Sequence, residues 1–394
     1  MSTKEVSAEQ IMMAFAERTG LTDPHRPPRR YLWTDAFAVC NFLGFYRQNG
    51  DKRHLQYALD LVNQVHQILG RHRENDARTG WISGLSEEEG RRHPTRGGLR
   101  IGKGLAERRS DESFDEHLEW ERDGQYFHYL TKWMHALSRV SQVTGDPQYN
   151  RWGIELAKTA HAAFTYASPV TGQRMMYWKM SIDLNRPLVS SMGQHDALDA
   201  FVTYRELDAT ARTLGDGEEG DLNRETAEAL EMMQSSSLPT SDPLGIGGLL
   251  NDTCFLLQLI ARQDDPLLTG WPPALGRAAL TGLKQYLHSG ALRYPPEYRL
   301  AFREFGVSIG LHSIELTQRL MTSTPGILDR APEWQRLQSQ LEDYLPIARV
   351  IEEYWLDGRH QQSETWNDHL DINEVMLATS LLPQGFLRLD WRRH

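Results

Sequence analysis

The 394-residue sequence predicts an all-α fold. Three observations carry that reading. Apolar residues recur at helical spacing in segment after segment, most clearly in Leu55, Ala58, Leu59, Val62, Val65 and Leu69 after Asp51. Nothing comparable repeats with the period of a strand; only 174–188 and 292–300 alternate weakly, enough for short hairpin arms. The helical segments are also of two kinds that alternate along the chain.

Taken in order, the first helix covers roughly 7–19, with Ile11, Met12, Phe15 and Ala16 apolar. The next, 33–47, opens at Trp33-Thr34-Asp35, where Thr34 or Asp35 is a suitable cap. A third starts at Asp51. The stretch DGQYFHYLTKWMHAL (123–137) begins a fourth, and Gly145-Asp146-Pro147 stops it and starts a fifth over 147–165. Later periodic segments predict helices at 194–213, 221–234, 247–263, 273–288, 305–322, 332–356 and 368–382, twelve in all.

NGDKRHLQYALDLVNQV and TGDPQYNRWGIELAKTA share a Gly-Asp start and read as amphipathic outer helices. The helices between them open with YLWTDAF, DGQYFHY, GQHDALDAF, GGLLNDTCF, EFGVSIGLH and TWNDHLDIN. Each mixes Gly, aromatics and Asp, Glu, Asn or His, and runs into a body apolar over a wide arc. Such an arc suits a helix packed on several sides. Six hairpins follow, each pairing one inner helix with one outer helix.

These starts resemble the six-hairpin, or (α/α)6-barrel, superfamily of carbohydrate-active enzymes. Among its cytosolic branches the chain looks like the unsaturated glucuronyl hydrolases and the N-acylglucosamine 2-epimerases. The resemblance spans roughly 7–382. It implies one (α/α)6-barrel domain over 1–394, with a substrate funnel lined by inner-helix N-termini and a long loop at its mouth.

Composition narrows the function. The formal charge is −10, so a nucleic-acid partner is not expected. No run of eighteen apolar residues occurs, so no membrane partner is expected either. The N-terminus lacks a signal-peptide core, and the two cysteines, Cys40 and Cys254, have no metal-type spacing. A cytoplasmic protein with no metal and no cofactor is the expectation. GGLRIGKG lacks the spacing of a phosphate loop, and no GxSxG or GxGxxG context appears.

Residues 71–122 have no clean helical period and form the long insertion, or lid. They are rich in arginine and glycine. A solvated surface balanced by Glu87, Glu88, Glu89, Asp111, Glu112, Asp115 and Glu116 is the plain reading. The sharper one is that Arg100 or Lys103 meets an anionic group on the substrate.

Paired carboxylates cleave glycosidic bonds, and the inner-helix starts offer Asp35, Asp123, Asp196, Asp252, Glu304 and Asp368. Each also has an ordinary role as a helix cap. Asp196 stands out. It sits on an apolar helix beside His195, with Asp199 one turn on, and a raised pKa is expected there. Asp35 and Glu364 are its expected partners ahead of Asp252. His369 is a candidate proton carrier, as are His312 and His195, though a lone helix histidine is more often a satisfied core residue. Trp33, Asp123, Gln125, Tyr126, His128, His195 and Trp366 are the expected substrate contacts, and Phe127, Leu130, Met134 and Leu137 the core.

The first expectation is therefore a glycoside hydrolase using Asp196 with Asp35 or Glu364. The alternative is a cofactor-free sugar epimerase or isomerase using funnel histidines, a mechanism that the epimerase resemblance implies. A non-catalytic helical scaffold comes third. The expected partner is a carbohydrate, an anionic one if the lid cations reach it.

Overall fold

Gly50 and Gly145 end two helices in the left-handed region, at φ 73° and 78°. Asp51 then caps the following helix by accepting from the Arg53 N–H, and Asp146 accepts from the Gln148 N–H. The repeated Gly-Asp phrase is thus a stop and a start. Glycine takes the positive φ that closes one helix, and the carboxylate satisfies a free N–H of the next.

The computed structural model describes residues 7–216, 221–262, 265–324 and 332–389. The protein is all-α. Its main helices are α1 (Ala8–Arg18), α2 (Leu32–Asn49), α3 (Lys52–Leu69), α4 (Phe127–Thr144), α5 (Gln148–Phe164), α6 (Asp196–Thr213), α7 (Asn223–Gln234), α8 (Pro243–Arg262), α9 (Trp271–His288), α10 (Ala301–Ser323), α11 (Pro332–Glu342), α12 (Pro346–Leu356) and α13 (Leu370–Leu381). The chain divides into two compact units. Among the described residues, one comprises 16–236 and the other 7–15 with 237–389.

In the first unit, α2 packs on α3 and α4, α4 on α5 and α6, and α6 on α7. Every residue of α2 from Leu32 to Phe45 is buried, whereas α3 buries one stripe that includes Ala58, Leu61, Val62, Val65 and Leu69. These are the two kinds of helix the sequence distinguishes. Phe127, Leu130, Met134 and Leu137 are fully buried in α4, each contributing about 1.5–3 kcal/mol by leaving water. A small antiparallel sheet, β1 (Gln125–Tyr126), β4 (Lys179–Met180) and β5 (Pro187–Val189), adjoins the start of α4, and β2 (Thr165–Ala167) pairs with β3 (Arg174–Met176).

Residues 71–122 are mostly irregular, with short helices Glu87–Arg92 and Glu116–Glu121. Trp81, Ile82, Leu99 and Ile101 are buried, while Phe114 and Trp120 stay exposed. The run 99–102 is stitched to helix ends on both sides. Leu32 N–H donates to Ile101 O, Arg100 N–H to Leu69 O, and Ile101 N–H to Gly124 O. The insertion therefore lies against the entries of α2 and α4.

In the second unit α8 packs on α9 and α10, and α10 on α12 and α13. By length and composition α8 is apolar enough to cross a membrane, and most of it is buried within the protein. The single helix expected over 332–356 is two, α11 and α12, because Pro346 starts a new first turn. The arm expected at 292–300 is a pair of 3-10 turns, Ala291–Arg293 and Pro296–Tyr298, whose Pro295 and Pro296 withhold ladder N–H groups.

Candidate functional site

On α4, His128, Lys132, His135 and Arg139 follow one another at helical spacing and share one face. On α6 the facing residues are Asp196, Asp199, Glu206 and Thr210. They meet as a polar seam. His128 Nδ1 lies 3.9 Å from Asp196 Oδ1, and Lys132 Nζ lies 3.3 Å from Asp199 Oδ1. Two turns deeper, His135 Nδ1 is 2.7 Å from Glu206 and Arg139 donates to its other oxygen at 2.9 Å. Ser138 and Thr210 hydroxyls close the line at 3.0 Å.

The two ends of the seam differ electrostatically. At Glu206 burial opposes ionisation, but His135 and Arg139 outweigh it and hold the carboxyl at about 2. At Asp196 burial, reinforced by the like charge of Asp199, pushes the carboxyl up to about 7. The Gly193 N–H, 3.1 Å from Oδ2, and Lys132 pull the other way. A Cβ at Gly193 would stand 2.5 Å from that carboxyl, so only glycine lets this backbone approach. Burial also pushes His128 down to about 4, against the charge of Asp199. Its Nδ1 is buried with no hydrogen-bond partner, and 3.9 Å to Asp196 is too long for one. Near neutral pH this is an uncharged imidazole beside a carboxyl that keeps part of its proton.

An aromatic wall surrounds His128. Trp178 lies parallel to its ring at 6.1 Å, Trp33 stands at 6.0 Å, Tyr126 at 5.3 Å and Tyr129 at 4.9 Å. Trp120 continues the wall to the surface through Trp178, at 4.8 Å. The Trp33 Nε1–H is buried without an acceptor. Tyr31 and Tyr129 join through their hydroxyls at 2.7 Å.

Several expected site residues do other work. Asp35 is 1% exposed, accepts from Arg30 at 3.2 Å and from the Tyr31 N–H at 2.9 Å, and so locks the entry of α2. Asp123 is fully buried between Arg73 at 3.1 Å and Arg100 at 2.9 Å, and accepts from the Gly102 N–H. Arg100 is spent on Asp123 and on the Arg71 and Ile68 carbonyls, so it is not a lid cation facing a ligand. Gln125, also fully buried, bonds the Leu99 N–H and the Gly97 and Ile182 carbonyls. Tyr126 is 3% exposed and packs in the wall. Lys103 lies over the Tyr31 ring at 5.8 Å. His195 is half-buried at the N-cap of α6.

In the second unit, Trp366 is buried and stacks on Trp355 at 5.6 Å, where Glu304 accepts from Trp355 Nε1 and from Arg299. Trp366 is core, because its neighbours are a buried ion pair and a second indole. Glu364 is exposed in the short helix Glu364–Asn367. His369 is exposed at the N-cap of α13, 5.4 Å from the Phe302 ring. His312 sits in mid-α10, bonded to Glu352 at 2.8 Å, and not at a helix start. Among the described residues no group of three or more His, Cys, Asp or Glu is arranged to hold a metal ion.

Lys132 was not among the expected site residues. The signal for Lys132 was present in the sequence, as polar residues at 128, 132, 135 and 139 on an otherwise apolar helix. Trp178 sits in the bend between β3 and β4.

No family model matches the chain, and no curated protein matches it. Among solved structures it is similar to a sugar epimerase from a ruminal bacterium, with a TM-score of 0.46 and 11% identity over 89% of this chain and 87% of that one. It is also similar to cellobiose 2-epimerase from Spirochaeta thermophila DSM 6192, with 0.45 and 12% over 88% and 98%. A D-mannose isomerase follows, with 0.43 and 14% over 84% and 87%. These proteins are epimerases and an isomerase, and none of the three is a hydrolase. The glycoside hydrolase expectation is corrected on the geometry of the site. The geometry supplies a physical reason. Of the two acids expected to partner Asp196, Asp35 is committed to Arg30 and the α2 entry, and Glu364 stands in solvent.

Proposed function

We propose that the chain is a sugar epimerase or isomerase that moves a proton at the carbon beside the carbonyl of an open-chain sugar. The observation that carries this is the His128–Asp196 approach inside an aromatic wall. Such a reaction needs a neutral base to take the carbon-bound proton and an acid to protonate the carbonyl oxygen as the enediol forms. An imidazole held uncharged and a carboxyl held partly protonated meet both needs at one pH. Return of the proton to the same carbon, with the new hydroxyl giving its proton back to Asp196, inverts or restores that carbon; return to the former carbonyl carbon, with Asp196 taking the proton of the neighbouring hydroxyl, gives the isomer. The flat faces of Trp33, Tyr129 and Trp178 suit the apolar faces of a carbohydrate, and the unpartnered Trp33 N–H suits one of its oxygens.

The test is proton exchange. Free aldoses and ketoses are incubated with the protein in D2O and followed by proton NMR. Loss of the C2 proton signal, with an epimer or ketose appearing, is the expected result. No exchange with any sugar, or release of a sugar from an oligosaccharide instead, overturns the reading.

A further inference from the structure

We infer that Lys103 anchors an acidic group of the substrate, so that the sugar taken at this site carries a carboxylate or a phosphate. The inference rests on the proposed proton transfer at His128 and Asp196, and goes beyond it by naming the class of sugar.

The backbone of Lys103 is fixed from both sides. Gly102 and Lys103 N–H groups point at Asp123 Oδ1, at 3.0 and 3.4 Å, and Arg73 Nη1 donates to Lys103 O at 2.5 Å. Arg73 and Arg100 both bind Asp123 Oδ2, so the scaffold itself carries one more positive than negative charge. The ammonium lies over Tyr31, half-buried, and makes no ion pair with any described carboxylate.

Its neighbours in the insertion behave otherwise. Arg71 meets Glu87, Arg78 meets Asp76 and Glu107, Arg92 meets Glu88 and Glu89, Arg108 meets Glu119, and Arg109 meets Asp111. Arg96 also lacks a carboxylate partner among the described residues, but it is exposed, where water serves. Within the insertion, 71–122, Lys103 is the half-buried cation without a carboxylate partner among the described residues, in a chain with 53 acidic and 43 basic residues. Acids are not scarce. Glu121 acts on Tyr31 electrostatically, yet it makes no ion pair with Lys103. Part-burying a cation without a counter-charge costs free energy, which an anionic ligand would offset.

Two tyrosines link this cation to the acid–base pair. Tyr31 bonds Tyr129 through the hydroxyls, and the Tyr129 ring stands edge-on to His128. An anchor at this remove holds the far end of a sugar and leaves the carbonyl end to His128.

The experiment measures binding directly by calorimetry at low salt, with a neutral hexose, the same hexose as its 6-phosphate, and the matching hexuronate. Wild type is compared with Lys103→Met, which keeps the stem over Tyr31 and all the backbone bonds. One of the two acidic sugars should bind roughly tenfold or more tightly than the neutral one, the scale of a hydrogen bond to a charged group; which of them does so separates phosphate from carboxylate. Lys103→Met should bring that ratio close to one, and Lys103→Arg should restore part of it. Equal binding of neutral and acidic sugars by wild type, or an unchanged ratio in Lys103→Met, overturns the inference. Proton exchange is recorded on the same samples. Exchange without an acidic preference sinks the Lys103 role alone. An acidic preference without exchange sinks the proton-transfer reading and leaves Lys103 as an anion anchor.

Discussion

Lys132 Nζ lies 3.3 Å from Asp199 Oδ1, one helical turn below the point where His128 approaches Asp196. This ion pair touches neither reacting group, yet both of its charges act on them. Asp199 raises both Asp196 and His128, and Lys132 lowers both. The pair is therefore a bias on the acid and the base together.

The pH profile follows from that bias. His128 loses its function as a base when protonated, below about 4, and Asp196 loses its proton above about 7. Turnover should rise through the first value, plateau, and fall through the second. Asp199→Asn removes the raising charge, so both limbs should move toward acid. Lys132→Met removes the lowering charge, so both should move toward alkali. Limbs that stay fixed, or that move in opposite directions, sink the assignment. The measurement is the rate of C2 proton exchange across pH.

Asp196→Asn keeps the shape of the side chain and removes its proton. It should fold like wild type by circular dichroism and lose about a hundredfold or more in exchange rate, the low end of general acid–base effects. His128→Asn should lose a similar factor. Full activity in either variant removes that residue from the chemistry.

Asp35 should behave in the opposite way. Asp35→Ala leaves the buried Arg30 guanidinium without its carboxylate and the Tyr31 N–H without its acceptor. Breaking a buried pair costs about 3–5 kcal/mol, so the chemical-denaturation midpoint should drop clearly. A stable but inactive Asp35→Ala would return Asp35 to the site.

Acid stability should track His66. Its Nε2 accepts from Trp133 Nε1 at 3.1 Å, a bond that only a ring unprotonated at Nε2 can make. Burial lowers it from the ordinary 6.5 to about 3. A depressed pKa means that the unfolded chain binds the proton first as pH falls. The contribution is present above 6.5 and is lost between 6.5 and about 3. His66→Gln keeps an acceptor without titrating, and should flatten stability across that window. An unchanged slope in the variant assigns the acid sensitivity elsewhere.

What the sequence determined by itself was the helical architecture and much of its punctuation. Gly-Asp at 50–51 and 145–146 acts locally, through a left-handed φ and a side-chain cap, so it is legible without partners. The wide apolar arcs of α2, α4, α6, α8 and α10 set these helices apart from those that bury one stripe, because burial on several sides leaves its mark on every residue. Asp196 was visible as an acid on an apolar helix. The tertiary structure decided what each polar residue faces. Asp35 and Asp196 look alike in sequence, as acids in the first turn of a helix with a wide apolar arc. One meets a guanidinium five residues away, which draws it into an ion pair; the other meets an uncharged imidazole and a second carboxylate, which hold back its ionisation. Arg100 and Lys103 look alike as lid cations, and a single buried carboxylate, Asp123, takes the first side chain and only the backbone of the second. The sign and distance of the charge brought opposite set a buried group's role, and for Asp196 and Asp123 the deciding partners, His128 and Arg73, come from chain segments far apart in sequence.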